Sequence, residues 1–207
     1  MAPFKLYYTS TSCGAASYIV ASLAGVDFDS EQVDLRAHKT QSGADFYAIN
    51  PNGSVPTVVL EDGSVLAQNV ATLTYIADRN PSANLAPAAG TAARYQYLDR
   101  LGFVNSELHT SFGKLFNPAL SEADRVAATK VAKGKAKFFV EHVLKGDFVL
   151  GSDVSAADVY AYIVFSWAPF LKLDLSEVAG VDKFSARVKA VAGVVEAHEK
   201  MNAATSK

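Results

Sequence analysis

The chain has 207 residues, of which 50% are hydrophobic and 19% charged, and a formal net charge of −2. Near-neutral charge argues against nucleic acid or an anionic membrane surface as the main partner, since both require a concentrated basic face. The single cysteine, Cys13, excludes an intrachain disulfide, and the apolar content suffices for one or two buried cores.

Taken in chain order, the first 80 or so residues alternate strand and helix signals. Phe4–Tyr8 reads as a short strand and Gly14–Leu23 as a helix with Tyr18, Ile19 and Leu23 apolar. Glu31–Leu35 reads as a second strand, followed by a polar segment and the turn signal Asn50-Pro51-Asn52-Gly53. Val55–Leu60 and Val65–Leu66 flank Glu61-Asp62-Gly63-Ser64, the pattern of a β-hairpin. Val70, Leu73, Ile76 and Ala77 then recur at helical spacing up to Pro81. A crossover makes parallel pairing and a hairpin makes antiparallel pairing, so the order predicts a mixed four-stranded sheet.

The segment from Pro81 to Gly90 reads as a linker, and beyond it strand signals vanish. Tyr95, Leu98, Leu101, Val104 and Leu108 mark a long helix, Val126 to Leu144 a second and Val159 to Trp167 a third. Val188–Met201 is expected to add a helical tail. The expected domains are thus an α/β unit over 1–81, a linker over 82–90 and an all-helical unit over 91–207. Lys130, Lys133, Lys135 and Lys137 form the one basic cluster, read as the solvated side of an amphipathic helix. The longest aromatic and aliphatic run, Val159–Leu171, is too short for a membrane span of about 20 residues. The opening Met1–Lys5 carries no apolar targeting stretch, so a cytoplasmic protein is expected.

Ser155-Ala156-Ala157-Asp158 fits a capping box in which Asp replaces the usual Glu or Gln, with Val154 and Val159 placed as a staple. In Ser54-Val55-Pro56-Thr57 the proline enters a strand, which suits an edge, a bend or a cis bond. Cys13 stands at the junction of the first strand and helix, where unpaired N–H groups favour an anion. To be mostly ionised at neutral pH its thiol must fall by about two pKa units, or about 2.7 kcal/mol. A helix end supplies about 0.3–1 kcal/mol, rarely about 2. Donors among Tyr8, Thr9, Ser10, Thr11 and Ser12 would have to supply the rest. By itself the cysteine reads equally as a small buried hydrophobe. His109, with Glu107, Phe112 and Phe116 nearby in sequence, is either a cleft residue or an ordinary core or surface histidine. His38, His142 and His198 sit among polar neighbours as surface residues. No metal-ligand spacing, phosphate loop or nucleophile elbow is present.

Together KLYYTSTSC, VDLRAHKTQSGADFYAINPNGSVPTVVLEDGSVL, YIADRNP, SELHTSFGKLFNP and GSDVSAADVYAYIVFSWAPFLKLDL resemble, along essentially the whole chain, the cytosolic glutathione transferases, and most the bacterial beta class. The resemblance implies a thioredoxin-like N-terminal domain, an all-helical C-terminal domain and a homodimer. It implies that Cys13 lies beside the glutathione sulfur and can form a mixed disulfide with it, that Tyr8 and Ser12 stand where other classes place an activator, and that His109 approaches the sulfur. Val55 would pair its backbone with the cysteinyl moiety, before a cis Pro56. Glu107 would lie near the γ-glutamyl group across the dimer. Gln68 and Asn69 replace a Glu and a small residue that hold that group, and His38, with Lys39 beside it, replaces a lysine on the glycyl carboxylate. Gly14 and Gly102 replace a family serine and asparagine.

The function implied is a detoxifying transferase that joins glutathione, its co-substrate, to small hydrophobic electrophiles. The substrate pocket would lie among Ser10, Thr11, Phe112, Phe116 and Trp167. Cys13 adds the expectation of glutathione-dependent thiol transfer or disulfide reduction, without a metal. The alternative is a non-catalytic carrier or scaffold of the same fold.

Overall fold

A computed structural model describes residues 3–205. The chain forms two compact units, one taking residues up to Ala86 together with the segment from Ala192, the other Pro87–Val191.

In the first unit, β1 (Phe4–Tyr8) is followed by α1 (Gly14–Ala24), β2 (Phe28–Asp34), β3 (Lys39–Thr40), a 3-10 turn at Phe46–Ala48, β4 (Thr57–Val59), β5 (Val65–Leu66) and α2 (Asn69–Arg79). The sheet order is β3-β2-β1-β4-β5, with β1 parallel to β2 and antiparallel to β4. It has five strands where four were expected. The extra one, β3, is a two-residue pairing of Lys39 and Thr40 with Asp34 and Val33, too short to leave a periodic signal. Strand alternation sends successive β1 residues to opposite faces. Tyr7 joins Val33, Phe46 and Val55 in one cluster, with Leu35, Ile49 and Val59 packed against it. Tyr8 instead meets Tyr18 of α1, ring centroids 5.0 Å apart.

The C-terminal tail also departs from expectation. It breaks into α7 (Val181–Ala190) and α8 (Val194–Thr205), with Gly193 between them at φ 91°. The helix α8, expected with the helical domain, belongs to the first unit. There the Met201 carbonyl accepts from Gln32 Nε2 of β2 at 3.2 Å.

The second unit is helical. α3 (Ala92–Phe103) runs into a π-helical stretch, Val104–His109, then α4 (Thr110–Gly113) and a 3-10 turn at Lys114–Phe116. α5 (Glu122–Phe138) ends in a second π-helical turn, Phe139–Val143. On α5, Lys133 and Lys135 pair with Glu177 and Glu107, so the basic cluster is a solvated, ion-paired face. The central helix α6 (Ala156–Ser166) is buried nearly all round. Its Phe165 meets Phe112, Phe139 and Phe184 edge-on. Among the described residues no helix is long and apolar enough to cross a membrane.

The expected capping box starts α6. Ser155 donates its N–H and O–H to Asp158 Oδ2 at 2.9 and 2.6 Å, and Val149 N–H donates to Oδ1 at 2.7 Å. Asp158→Ala strands these buried donors and should cost about 3 kcal/mol in denaturant unfolding. Burial also pushes the Asp158 carboxyl up to about 6. The folded protein therefore keeps a proton that an unfolded carboxyl, near pKa 3.9, has already lost. Stability relative to Asp158→Asn should be highest below about pH 4, fall as pH rises to about 6, and stay level above. A relative stability that climbs with pH across this window contradicts the assignment.

Candidate active site

In the first unit the chemistry gathers where β1 turns into α1. Ser12 Oγ donates to the Thr9 carbonyl at 2.9 Å and accepts the Gly14 N–H at 3.1 Å. Ser12 is thus the side chain that shapes the start of α1, with its proton committed to Thr9. Thr9 Oγ1 in turn donates to the Val33 carbonyl at 2.7 Å, which ties the turn to β2. Cys13 is the N-cap residue, buried, and its thiol donates to the Val55 carbonyl at 3.3 Å. Gly14 has little room for a side chain, since a Cβ there would lie 3.1 Å from Tyr8 Cβ. A serine at this position would crowd β1.

Val55 is held from below by a polar network that the sequence showed only as a turn signal. Asn50 Nδ2 donates to the Ser54 carbonyl and to Thr57 Oγ1, both at 2.9 Å, and Thr57 Oγ1 donates to Ser54 O at 2.8 Å. Asn50 and Thr57 are buried, so these bonds carry weight that they would lack in water. The Val55–Pro56 bond is cis, one of the options read from the sequence. Pro56 precedes β4, which lies between β1 and β5 and is not an edge.

Electrostatics bear on the state of the thiol, which the sequence left open. Burial pushes Cys13 above its ordinary value, and the Asn69 carboxamide and the backbone N–H groups of Cys13 and Gly14 pull against it without winning. The dehydration of a largely buried sulfur exceeds what one helix end returns. Asn69, the first residue of α2, is itself buried, with no partner on its Oδ1. Gln68, the N-cap of α2, is exposed.

Tyr8 does not join this group. Its hydroxyl faces Ser30 and Gln32, and burial pushes its pKa up to about 12. A phenol packed under α1 and made harder to ionise is a core residue, which corrects the activator reading. His38 is half-buried, at φ 50°, with its ring stacked on Tyr47 at 4.3 Å and Nδ1 without a partner. Gly53 must be glycine beside it, because its φ is 62° and a Cβ would lie 2.7 Å from the Tyr47 ring. Lys39, Ser10 and Thr11 are partly or fully exposed and line a cavity of about 590 Å³ with Gln32, Val33 and Thr40.

In the second unit the π-helical stretch Val104–His109 carries His109. Burial lowers its pKa and keeps the ring neutral at pH 7. Its Nδ1 is hydrogen-bonded to Tyr160 Oη, and its ring stands edge-on to Trp167 at 5.1 Å. Trp167 meets Phe116, which meets Phe170, 78% exposed. Phe170 was hidden in the apolar run and could be found only as an aromatic at its exposed end. Phe112 is fully buried against Phe165 and belongs to the core, not to a pocket. Glu107 pairs with Lys135 at 2.7 Å. Among the described residues no group of His, Cys, Asp and Glu could hold a metal ion.

Cys13 thus lies against Val55 at the end of a thioredoxin-like sheet, and comparison with known proteins gives the family. The model of the glutathione S-transferase N-terminal domain matches residues 16–79. Glutathione S-transferase GstA of Escherichia coli O157:H7 is 31% identical over 184 residues, 89% of this chain and 92% of that protein. A sphingomonad glutathione S-transferase solved with glutathione superposes with a TM-score of 0.90 at 34% identity, over 96% of this chain and 98% of that one. A Sphingomonas chungbukensis enzyme described as bacterial beta class gives 0.89 at 34% identity, over 95% and 98%. The chain belongs to the glutathione S-transferase family and is similar to its bacterial beta class.

The thiol assignment predicts how Cys13 reacts in the protein alone. Alkylation by a small haloacetamide should rise about tenfold per pH unit through pH 9, because only the thiolate attacks. A plateau reached below pH 8 would show an activated thiolate and contradict the geometry.

Proposed function

We propose that the protein conjugates glutathione to small apolar electrophiles and also carries out glutathione-dependent thiol transfer through Cys13. The observation that carries this reading is the Cys13 sulfur, 3.3 Å from the carbonyl of Val55 and next to the start of α1. A ligand that pairs with the Val55 backbone as an added strand would set its own sulfur beside Cys13. Asn69 offers a buried carbonyl oxygen that suits an ammonium or amide donor, as the γ-glutamyl group of glutathione has. Gln68 cannot form the ion pair that a Glu would make there, so glutathione should bind more weakly than in relatives with that Glu. His38 and Lys39 are the candidates for the glycyl carboxylate, and Glu107 for the γ-glutamyl group of a second copy in a homodimer. An apolar electrophile matches the aromatic wall of Phe116, Trp167 and Phe170. The cytoplasm, where glutathione is abundant, is the compartment this chemistry needs.

The two activities divide at Cys13. In conjugation the glutathione thiolate attacks the electrophilic carbon, and the leaving group departs with its electron pair. In thiol transfer Cys13 loses its proton to water and attacks the glutathionyl sulfur of a mixed disulfide. The disulfide bond breaks, the released thiolate takes up a proton, and Cys13 carries the glutathionyl group. A second glutathione thiolate then attacks this new disulfide, releasing oxidised glutathione and restoring Cys13.

Cys13→Ala should keep conjugation of a chlorinated nitrobenzene within a few-fold and lower reduction of a glutathionyl mixed disulfide by about a hundredfold or more. Loss of both activities would make Cys13 the general activating residue. If neither activity changes, Cys13 has no chemical part. Absence of glutathione binding by calorimetry at millimolar concentration would overturn the whole reading.

A further inference from the structure

In the second unit, the 3-10 turn after α4 and the turn after α6 each hold a phenylalanine out of the core. Phe116 is 41% exposed and Phe170 78%, and their rings meet with centroids 5.8 Å apart and planes at 31°. A lone exposed apolar side chain is ordinary, whereas a contiguous aromatic surface marks a place where something binds. Neither ring sits on a slack segment. Leu171 N–H donates to the Trp167 carbonyl at 2.9 Å, Lys172 N–H to Pro169 O at 3.1 Å and Leu173 N–H to Ala168 O at 2.9 Å, so Phe170 rides on a closed turn. Lys172 takes φ 54° there, a left-handed conformation uncommon for lysine. Arg125 of α5 donates from Nη1 to the Leu115 carbonyl at 3.3 Å and from Nη2 to the Asn117 carbonyl at 3.2 Å. It thereby grips the backbone on both sides of Phe116.

These groups share a cavity of about 500 Å³, lined by Leu115, Phe116, Arg125, Thr129, Phe170 and Lys172 among others, all of them in the second unit. Its size suits a small organic molecule. Its charge is one-sided. Among the described residues no Asp or Glu lines it, and neither Arg125 nor Lys172 forms an ion pair. Backbone carbonyls occupy two of the five N–H donors of the Arg125 guanidinium and cancel none of its charge. The remaining donors form part of a planar fork that matches a carboxylate, and a lysine ammonium adds a point charge. The phenylalanine pair offers apolar faces on which a flat ring can pack. We propose that this cavity binds a small planar aromatic carboxylate, with its ring against Phe116 and Phe170 and its carboxylate on Arg125 and Lys172. The binding rests on the second unit alone and not on the transferase reading, although Phe116 and Phe170 also belong to the aromatic wall described above.

The test is calorimetric titration of the full chain with 2-naphthoate and with its neutral counterpart, 2-naphthamide. Naphthoate should bind once per chain, about tenfold more tightly than naphthamide, and should weaken as salt is raised. Lys172→Met should lower naphthoate affinity by about fivefold to tenfold and leave naphthamide binding unchanged. Arg125→Met should act in the same way. It also strips two carbonyls of their donor, so Lys172→Met carries the test if circular dichroism melts show that Arg125→Met has failed to fold. Phe170→Ala should weaken both ligands. Lys39→Met, on the cavity of the first unit, should leave naphthoate affinity as it is. No naphthoate binding at millimolar concentration, or equal affinity for naphthamide, overturns the proposal. So does an affinity that falls with Lys39→Met and not with Lys172→Met. Displacement of naphthoate by an equal concentration of acetate would reduce the site to a simple anion contact and overturns it as well.

Discussion

The contact between the Cys13 thiol and the Val55 carbonyl, closed across 42 residues of chain, is the one on which the candidate site depends. It fixes the start of α1 against the loop that enters β4. Each side of it has its own support. Gly14 lets α1 descend onto β1, where any Cβ would meet Tyr8. Asn50 and Thr57 clamp the Ser54 carbonyl, so the backbone of Val55 is presented in one orientation. A loop carrying so many exposed polar groups would otherwise be free to move, and the buried amide network removes that freedom.

The same enclosure sets the state of the sulfur. A helix terminus alone would favour thiolate, and burial favours thiol; with the sulfur almost wholly dehydrated, burial is the larger effect. The resting protein therefore holds a protonated cysteine bonded to a carbonyl. That state is compatible with exchange chemistry once a glutathionyl group is docked beside it, because such exchange needs only transient thiolate. It also protects the sulfur from adventitious oxidation, which follows thiolate character and exposure.

Much of this was legible in the sequence, for reasons that particular residues show. The capping box at Ser155 and Asp158, the helices marked by periodic apolar residues, and the strand pattern around Phe4–Tyr8 are local signals, and the structure carries them. The placement of Tyr8 was not legible, because two adjacent tyrosines in a strand face opposite ways and the sequence does not say which faces the site. β3 was missed because two residues make no period, and the break at Gly193 because α7 and α8 share one continuous apolar pattern. Cys13 was correctly placed at a helix start, but the sign of its pKa shift depends on burial, which no local pattern encodes. Asn50 was legible only as part of a turn, and the roles of Tyr160 and Phe170 come from neighbours distant in sequence.

The most direct test of the account is intact-protein mass spectrometry after incubation with oxidised glutathione. A site built to set a glutathionyl sulfur beside Cys13 predicts one glutathionyl group per chain, attached at Cys13 and removed by reduced glutathione. A chain that stays unmodified while folded, or is modified without reversal by reduced glutathione, contradicts it.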